Sequence, residues 1–372
     1  MSAVRRRFVT VDDRRWAQAH AGTACALPDG TTLVAWFAGT HEGAPDTAVW
    51  SSRRGPGQEV WGEPELLLDG PLPHWNPVLA TGPDGDLWLF ARRGARISTW
   101  TTWVTTSADG GRTWGEAREL VPGDTTGGRG PVRNPPLLLD DGTWLAPGSV
   151  EVWEPAPHWD AFVDVSADLG RTWHQAAVPL VHDGLRGAGV IQPALWQHDG
   201  RVHALLRSSE GCAYRSTSED SGRTWSEASP TGLPNNNSGL AVLALGDGTV
   251  VGAHNPTSGD WGARCPLVLS VSADDGRTWR EAVVVEDGVT PVDDDPAHRP
   301  SPPSPSGFTP ADGGVATTGA GEYSYPALLL DADALTVTYT WQRRGLVEAT
   351  VPLELLRPFP DPSHHPQSLE HP

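Results

Sequence analysis

Twelve short stretches of this sequence carry residues able to do chemistry, and they form two recurring sets. The first is His20, Trp75-Asn76-Pro77, Arg133-Asn134-Pro135, Gln192-Pro193, Asn236-Asn237-Ser238 and Tyr323-Ser324-Tyr325-Pro326. The second is Glu42 with Asp46, Arg92 with Arg93, Ser149 with Glu151, Arg207 with Glu210, His254 with Asn255, and Arg343 with Arg344. A purely structural loop would use Gly, Ser or Asp at such points. Arginine forks pair with carboxylates, Glu, Asp and His do acid–base work, and aromatic rings cover apolar faces. Converging on one axis, these groups describe a pocket for an acidic sugar. Tyr325, Glu151, Asp46, Glu42 and His20 are the catalytic candidates. Arg207, Arg133, Trp75, Asn76, Gln192, Glu210, Asn236, His254 and Arg343 are the candidates for holding a substrate. Each has a structural alternative: Arg207 as a bridge between sheets, Glu210 or Glu42 as its partner, Glu151 as a strand residue, Asn236 as a turn residue and Trp75 as core. At most one of Tyr323 and Tyr325 is expected to face the axis.

The elements that must position these groups are legible as repeats. Ser107-Ala-Asp109-Gly-Gly111-Arg-Thr113-Trp114 recurs at Ser166–Trp173, Ser218–Trp225 and Ser272–Trp279, as S-x-D-x-G-R-T-W. The serines lie 59, 52 and 54 residues apart, a period that marks a repeat array. A degenerate fifth copy is read from Ser51 through Trp61. In phase with the boxes run turns at Pro28-Asp29-Gly30, Asp84-Gly85, Asp141-Gly142, Asp199-Gly200 and Asp247-Gly248, with a looser one at Asp331-Ala-Asp333. Each sits between apolar runs, the signature of a tight hairpin. Six hairpins at this period predict an all-β fold, a six-bladed propeller of four-stranded antiparallel blades. Val4–Val9 is expected to supply the strand that closes the last blade.

In an up-and-down blade, the Asp-Gly hairpins and the boxes share one end of the propeller. The box Asp accepts hydrogen bonds within its turn and the box Trp packs between sheets, so the boxes are folding devices. The opposite end gathers the starts of first strands, the ends of second strands and the loops between second and third strands. Sites collect on such loops, and the two sets above follow from this rule.

Composition bounds the rest. The chain has 372 residues, 38% of them apolar, with 18 Trp, 42 Gly and 35 Pro. This suits one large domain with many turns, here residues 1–360. Residues 286–320, rich in Asp, Pro, Ser and Gly, break the rhythm and read as a mobile surface insertion. Residues 361–372 read as a disordered tail. A formal charge of −19 argues against nucleic acid or an anionic membrane as partner. All 27 basic residues are Arg. Cys25, Cys212 and Cys265 form no metal or disulfide pattern. No metal or cofactor is expected, and no oligomeric signal is present. No run of 18 apolar residues and no signal-peptide pattern are seen, so a cytoplasmic location is expected.

The boxes resemble the Asp-boxes, or bacterial neuraminidase repeats, of the sialidase superfamily, whose fold is a six-bladed propeller. His20-Ala-Gly-Thr23, Trp36–Gly43, Trp75-Asn-Pro77, Arg133–Leu139, Ile191-Gln-Pro193, Leu206-Arg-Ser208, Asn237-Ser-Gly239 and Ser324-Tyr-Pro-Ala327 resemble the predicted-neuraminidase branch of repeat-like proteins over nearly all of residues 16–350. The resemblance implies an arginine of a carboxylate-binding triad at Arg207 and a tyrosine nucleophile at Tyr325, with Glu151 or Glu210 as its partner. The N-terminal Phe-Arg-Ile-Pro motif of sialidases is absent, and Arg5, Arg6 and Arg7 do not replace it. Three functions follow as expectations: an exo-acting glycoside hydrolase on a terminal acidic sugar, a lyase that eliminates across a uronate-linked sugar, or a propeller that binds or transforms another small molecule.

Overall fold

The structure is a computed structural model, and it describes residues 4–294 and 321–357. Among the described residues, 24 strands form six four-stranded antiparallel sheets. β1 (Arg5–Val11) is set aside by the chain for the end of the ring. Blade I is β2 (Gln18–Ala26), β3 (Thr32–Gly39), β4 (Ala48–Arg54) and β5 (Glu65–Leu68). Blade II is β6 (His74–Thr81), β7 (Leu87–Arg93), β8 (Thr101–Ser107) and β9 (Arg118–Glu119). Blade III is β10 (Leu137–Leu138), β11 (Trp144–Val152), β12 (His158–Ser166) and β13 (His174–Ala177). Blade IV is β14 (Val190–His198), β15 (Arg201–Ser208), β16 (Cys212–Ser218) and β17 (Ser229–Pro234). Blade V is β18 (Ala241–Ala244), β19 (Val250–His254), β20 (Leu267–Ser272) and β21 (Arg280–Glu286). Blade VI is β22 (Tyr323–Leu330), β23 (Ala334–Trp341) and β24 (Gly345–Pro352), completed on its outer edge by β1.

The ring is closed by the N-terminal strand, as the missing sixth box requires. Arg5 to Val11 pairs antiparallel with Thr350 to Gly345. Arg6 Nη1 lies 2.8 Å from Glu286 Oε2, which also accepts the Tyr339 hydroxyl at 2.9 Å. These contacts correct one boundary. Glu286 ends β21 fully buried, and Val292 is buried in the core shared with blade VI. Glu286 and Val292, at the start of the expected insertion, therefore pack against the propeller. The insertion beyond residue 294, like the 361–372 tail, lies outside the described residues.

The boxes are self-contained hydrogen-bond units. Ser107 Oγ donates to Asp109 Oδ1 (2.7 Å) and accepts the Gly111 N–H (2.8 Å), while Asp109 accepts the Thr113 N–H (2.8 Å) and hydroxyl (2.6 Å). The same bonds recur around Asp168, Asp220 and Asp274. Bonds from Thr172 pull the Asp168 carboxyl down to about 2. The degenerate copy spans Arg54–Trp61 rather than starting at Ser51. Ser52 Oγ donates to Gly62 O (2.6 Å) just as Thr105 does to Gly115 O (2.7 Å) two residues ahead of its box. Arg54 and Pro56 thus replace the box Ser and Asp, and Gln58 Oε1 holds the turn by accepting the Gly55 N–H (2.9 Å).

Between blades the core is aromatic. Trp88 of blade II meets Trp144 of blade III edge to face at 5.1 Å, a favoured geometry that adds to burial. At the axis, four inner strands begin with a break in register: His20/Thr23, Trp75/Val78, Ile191/Ala194 and Ser324/Ala327. The residue inside each break has positive φ: Ala21 (53°), Asn76 (41°), Gln192 (53°) and Tyr325 (54°). Asn237 (57°), ahead of β18, matches them. Such backbone costs non-glycine residues about 1–3 kcal/mol each and clusters at functional sites; bulges re-aim side chains.

Candidate functional site

The break in β22 re-aims Tyr325 into a cluster of buried cations. Arg207, near the end of β15, donates from Nη1 to the Tyr325 phenol oxygen at 2.8 Å and to Gln192 Oε1 at 3.2 Å. The guanidinium carbons of Arg133, Arg264 and Arg207 lie 5.2, 5.7 and 6.0 Å from the Tyr325 ring centroid. Arg133 Nη2 donates to Pro326 O at 2.6 Å. The His20 ring centroid is 4.4 Å from that of Tyr325. All these side chains are buried, Tyr325 least so at 8% exposure.

Among the described residues, neither Arg133 nor Arg207 has a carboxylate within ion-pair distance. Burial pushes the Arg133 guanidinium down to about 10, which leaves it charged at neutral pH. A buried charge without a counter-charge is costly, and an anionic ligand group at this point would supply one. Arg264 differs: its Nη1 lies 2.7 Å from Glu322 Oε1.

A second layer is ionic and locked. Arg343 bridges Glu322 Oε2 (2.9 Å) and Glu42 Oε2 (2.5 Å). Burial alone would raise the Glu322 carboxyl, but Arg343 and Arg264 outweigh it and hold it well below the usual range. Glu322 is thus a fixed anion that positions cations. Burial, reinforced by Arg343, Arg264 and Arg133, drives His20 well below its ordinary value. Its imidazole is neutral.

On the other side, the Arg207 Nε donates to Asn237 Oδ1 (2.7 Å), and Asn237 Nδ2 donates to Asp260 Oδ1 (2.5 Å). Partial burial raises the Asp260 carboxyl, opposed by its Asn237 bond and by Arg207. Asp260 borders a cleft of about 490 Å³ lined by Arg186, Gly187, Ser209–Cys212 and Ser258–Asp260. Trp261, next in sequence, lies under the Arg207 guanidinium at 5.6 Å and beside Trp153 at 6.1 Å.

The structure therefore gathers Tyr325, Arg207, Arg133, Gln192 and His20 around one point, with Arg343 and Glu42 in the ionic layer beside His20. Other candidates fall elsewhere. Trp75 is sealed in an aromatic cluster with Phe37 and Trp100, its Nε1 donating to Gly94 O at 2.9 Å. Asn76 occupies the equivalent bulge of blade II, buried, with no bond to Tyr325. Asn236 pins the loop carbonyl of Ala263 at 2.6 Å; its neighbour Asn237 faces Arg207. Glu210 accepts the N–H groups of Arg186 and Gly187 at 2.9 and 2.7 Å. His254 pairs with Ser270 Oγ at 2.9 Å within blade V. Asp46 is exposed and accepts the Thr40 hydroxyl at 2.6 Å. Glu151 is buried near Arg92, whose charge it supports.

Arg264, Glu322, Asp260 and Trp261 were not among the candidates, and from the Asn236-Asn237-Ser238 stretch Asn236 was singled out rather than Asn237. Arg264, Asp260 and Trp261 lie on the loop between the second and third strands of blade V, which the end-of-propeller rule includes. Glu322 directly precedes β22. Asn237 is the residue that aligns with Gln192 and Tyr325 when the inner-strand starts are superposed by their X-Pro or X-Ser steps.

A family model described as BNR repeat-like domain matches residues 30–337. No curated protein matches the chain. Among solved structures, a protein of unknown function from Dyadobacter fermentans is similar at 16% identity and a TM-score of 0.70, over 95% of this chain and 100% of that one. A variant of the NanB sialidase of Streptococcus pneumoniae is similar at 12% identity and a TM-score of 0.69, over 94% of this chain and 71% of that one. The Trypanosoma rangeli sialidase in complex with sialic acid is similar at 12% identity and a TM-score of 0.61, over 94% of this chain and 59% of that one. At these identities the likeness is one of fold.

Proposed function

The chain belongs to the BNR repeat-like domain family, and from that premise we propose that it is an exo-acting glycoside hydrolase that removes a terminal acidic sugar from a glycan. One observation carries the reading: Arg133 and Arg207 flank Tyr325, buried, without a carboxylate partner among the described residues. A sugar carboxylate supplies the missing counter-charge through charge-assisted hydrogen bonds. The fold shared with NanB and the T. rangeli sialidase supports a sugar ligand.

In this mechanism Tyr325 attacks the anomeric carbon. Its phenol proton passes to water as the bond forms, and Arg207 stabilises negative charge as it develops on the phenol oxygen. Asp260 gives its proton to the departing glycosidic oxygen. Its raised carboxyl and its place on the cleft rim suit that role, and the cleft accommodates the rest of the glycan. Water then attacks the tyrosyl-linked sugar from the face the leaving group vacated. Retention of configuration follows.

A second reading is favoured because, among the described residues, the Tyr325 hydroxyl has no carboxylate bond. In a lyase, Tyr325 or His20 would abstract the proton beside a uronate carboxylate neutralised by Arg133 and Arg207. One experiment separates the two. Purified protein is incubated with sialosides and uronate-containing oligosaccharides, and products are read by mass and ultraviolet absorbance together. Gain of water supports the hydrolase; an unsaturated, absorbing fragment supports the lyase and overturns the hydrolase. No product from any acidic glycan overturns both.

A further inference from the structure

We propose that blade III carries a binding site for one divalent transition-metal ion, formed by His158, Asp160 and His182. It is independent of the hydrolase reading. His158 and Asp160 stand two apart on β12 and so share a face of the sheet. His182 comes from the segment between β13 and β14. The three donor groups lie within 4.8 Å of one another. His158 Nε2 is 2.9 Å from one Asp160 oxygen and His182 Nε2 is 2.9 Å from the other. The two imidazoles are stacked, with centroids 3.8 Å apart and planes 22° from parallel.

The spacing fits a shared ion. Zinc binds imidazole nitrogen and carboxylate oxygen at about 2.0–2.2 Å, so two ligands of one tetrahedral ion stand roughly 3.3 Å apart. The N–O separations here differ from that by a few tenths of an ångström. Stacking turns both Nε2 atoms toward the same carboxylate, which is what a common ligand requires. Two nitrogens and one oxygen select Zn²⁺ and its neighbours over Mg²⁺ or Ca²⁺, which prefer oxygen alone. The side chains are 52%, 48% and 28% exposed for His158, Asp160 and His182, so water has access to complete the coordination.

The ion would act as a staple. The 178–189 segment is already tied to β12 by Trp159 N–H to Ala188 O at 2.9 Å and by the Trp159–Gly189 bridge. Further along, Arg186 and Gly187 are fixed on Glu210 and line the 490 Å³ cleft. Metal bound at His182 adds an anchor at the start of this wall.

The test uses the full chain carrying His364→Gln and His365→Gln, which removes an adjacent histidine pair able to compete for metal. After chelator treatment and dialysis, Co²⁺ and Zn²⁺ are titrated by calorimetry, and the Co²⁺ visible spectrum is recorded. The expected result is one ion per chain, with His158→Gln and His182→Gln each weakening binding by at least ~100-fold, beyond what loss of an indirect support causes. Zn²⁺ raises the melting temperature of the background protein and not of these variants. Circular dichroism establishes that the variants fold, and Asp160→Asn provides a third, nearly isosteric test. Failure of the background protein to take up one ion, or uptake that the three substitutions leave unchanged, overturns the site.

Discussion

Arg207 Nη1 donates to the Tyr325 phenol oxygen at 2.8 Å across 118 residues of sequence, joining blade IV to blade VI at the axis. Tyr325 reaches this bond from a left-handed backbone position (φ 54°). A purely structural bond would not need an arginine without a carboxylate partner beneath a tyrosine. The first prediction is therefore that Tyr325→Phe lowers kcat/KM on the substrate by at least ~10³-fold, as loss of a nucleophile does. Arg207→Ala is expected to lose ~10²–10³-fold, and Arg207→Lys to recover little of it because a lysine cannot donate to Asn237, Gln192 and Tyr325 together. Steady-state kinetics on the substrate found in the screen checks both.

Asp260 is reached through Asn237, so the two separate a chemical from a positioning role. Asp260→Asn should remove the alkaline limb of the kcat pH profile, because the protonated acid that fails at high pH is gone. Asn237→Ala should keep that limb but raise KM and lower kcat by ~10–100-fold, since it frees both Arg207 and Asp260. Identical profiles for Asp260→Asn and wild type would remove Asp260 from the mechanism.

Stability should fall on mild acidification. Burial depresses His254 from 6.5 to about 4, and burial with help from Arg93 does the same to His74. Between those values the unfolded chain takes up protons that the folded chain refuses. The contribution is complete above pH 6.5 and is lost as pH falls toward 4, by up to ~1.4 kcal/mol per pH unit for each histidine. Denaturant titrations at pH 7 and pH 5 should show a smaller loss for His254→Gln than for wild type. Equal losses would sink the assignment.

The boxes should affect folding and not chemistry. Asp220→Ala deletes the acceptor for the Thr224 N–H and hydroxyl and for Ser218 Oγ. The melting temperature is expected to drop by a few degrees, with kcat/KM unchanged within about twofold. Thermal denaturation and kinetics on the same preparation decide it.

Much of the fold is written locally. A box closes its own hydrogen bonds within eight residues, as Ser107 to Trp114 does, so each copy reports its blade without knowledge of the others. The Asp-Gly hairpins behave likewise, and the absent sixth box correctly calls for a closing strand from Val4–Val9. Which end of the propeller gathers reactive groups also follows from chain order alone. Residues whose partners are distant were read less well. Asn236 and Asn237 are adjacent and chemically identical, and only the left-handed backbone at Asn237 turns that one toward Arg207. Trp75 is sealed by Phe37 and Trp100 from two blades, a burial no local pattern encodes.

Sequence by itself determined the blade count and the order of strands, and it named Arg207 and Tyr325 as candidates, because turn chemistry and strand alternation act between near neighbours. Tertiary structure decided the company of those residues. Glu42 meets Arg343 only once the ring has closed over 301 residues, and Glu322 becomes a fixed anion only between Arg264 and Arg343. The same closure leaves Arg133 and Arg207 buried beside Tyr325, since a charge loses its water, and comes to need a partner, only when the rest of the chain has surrounded it.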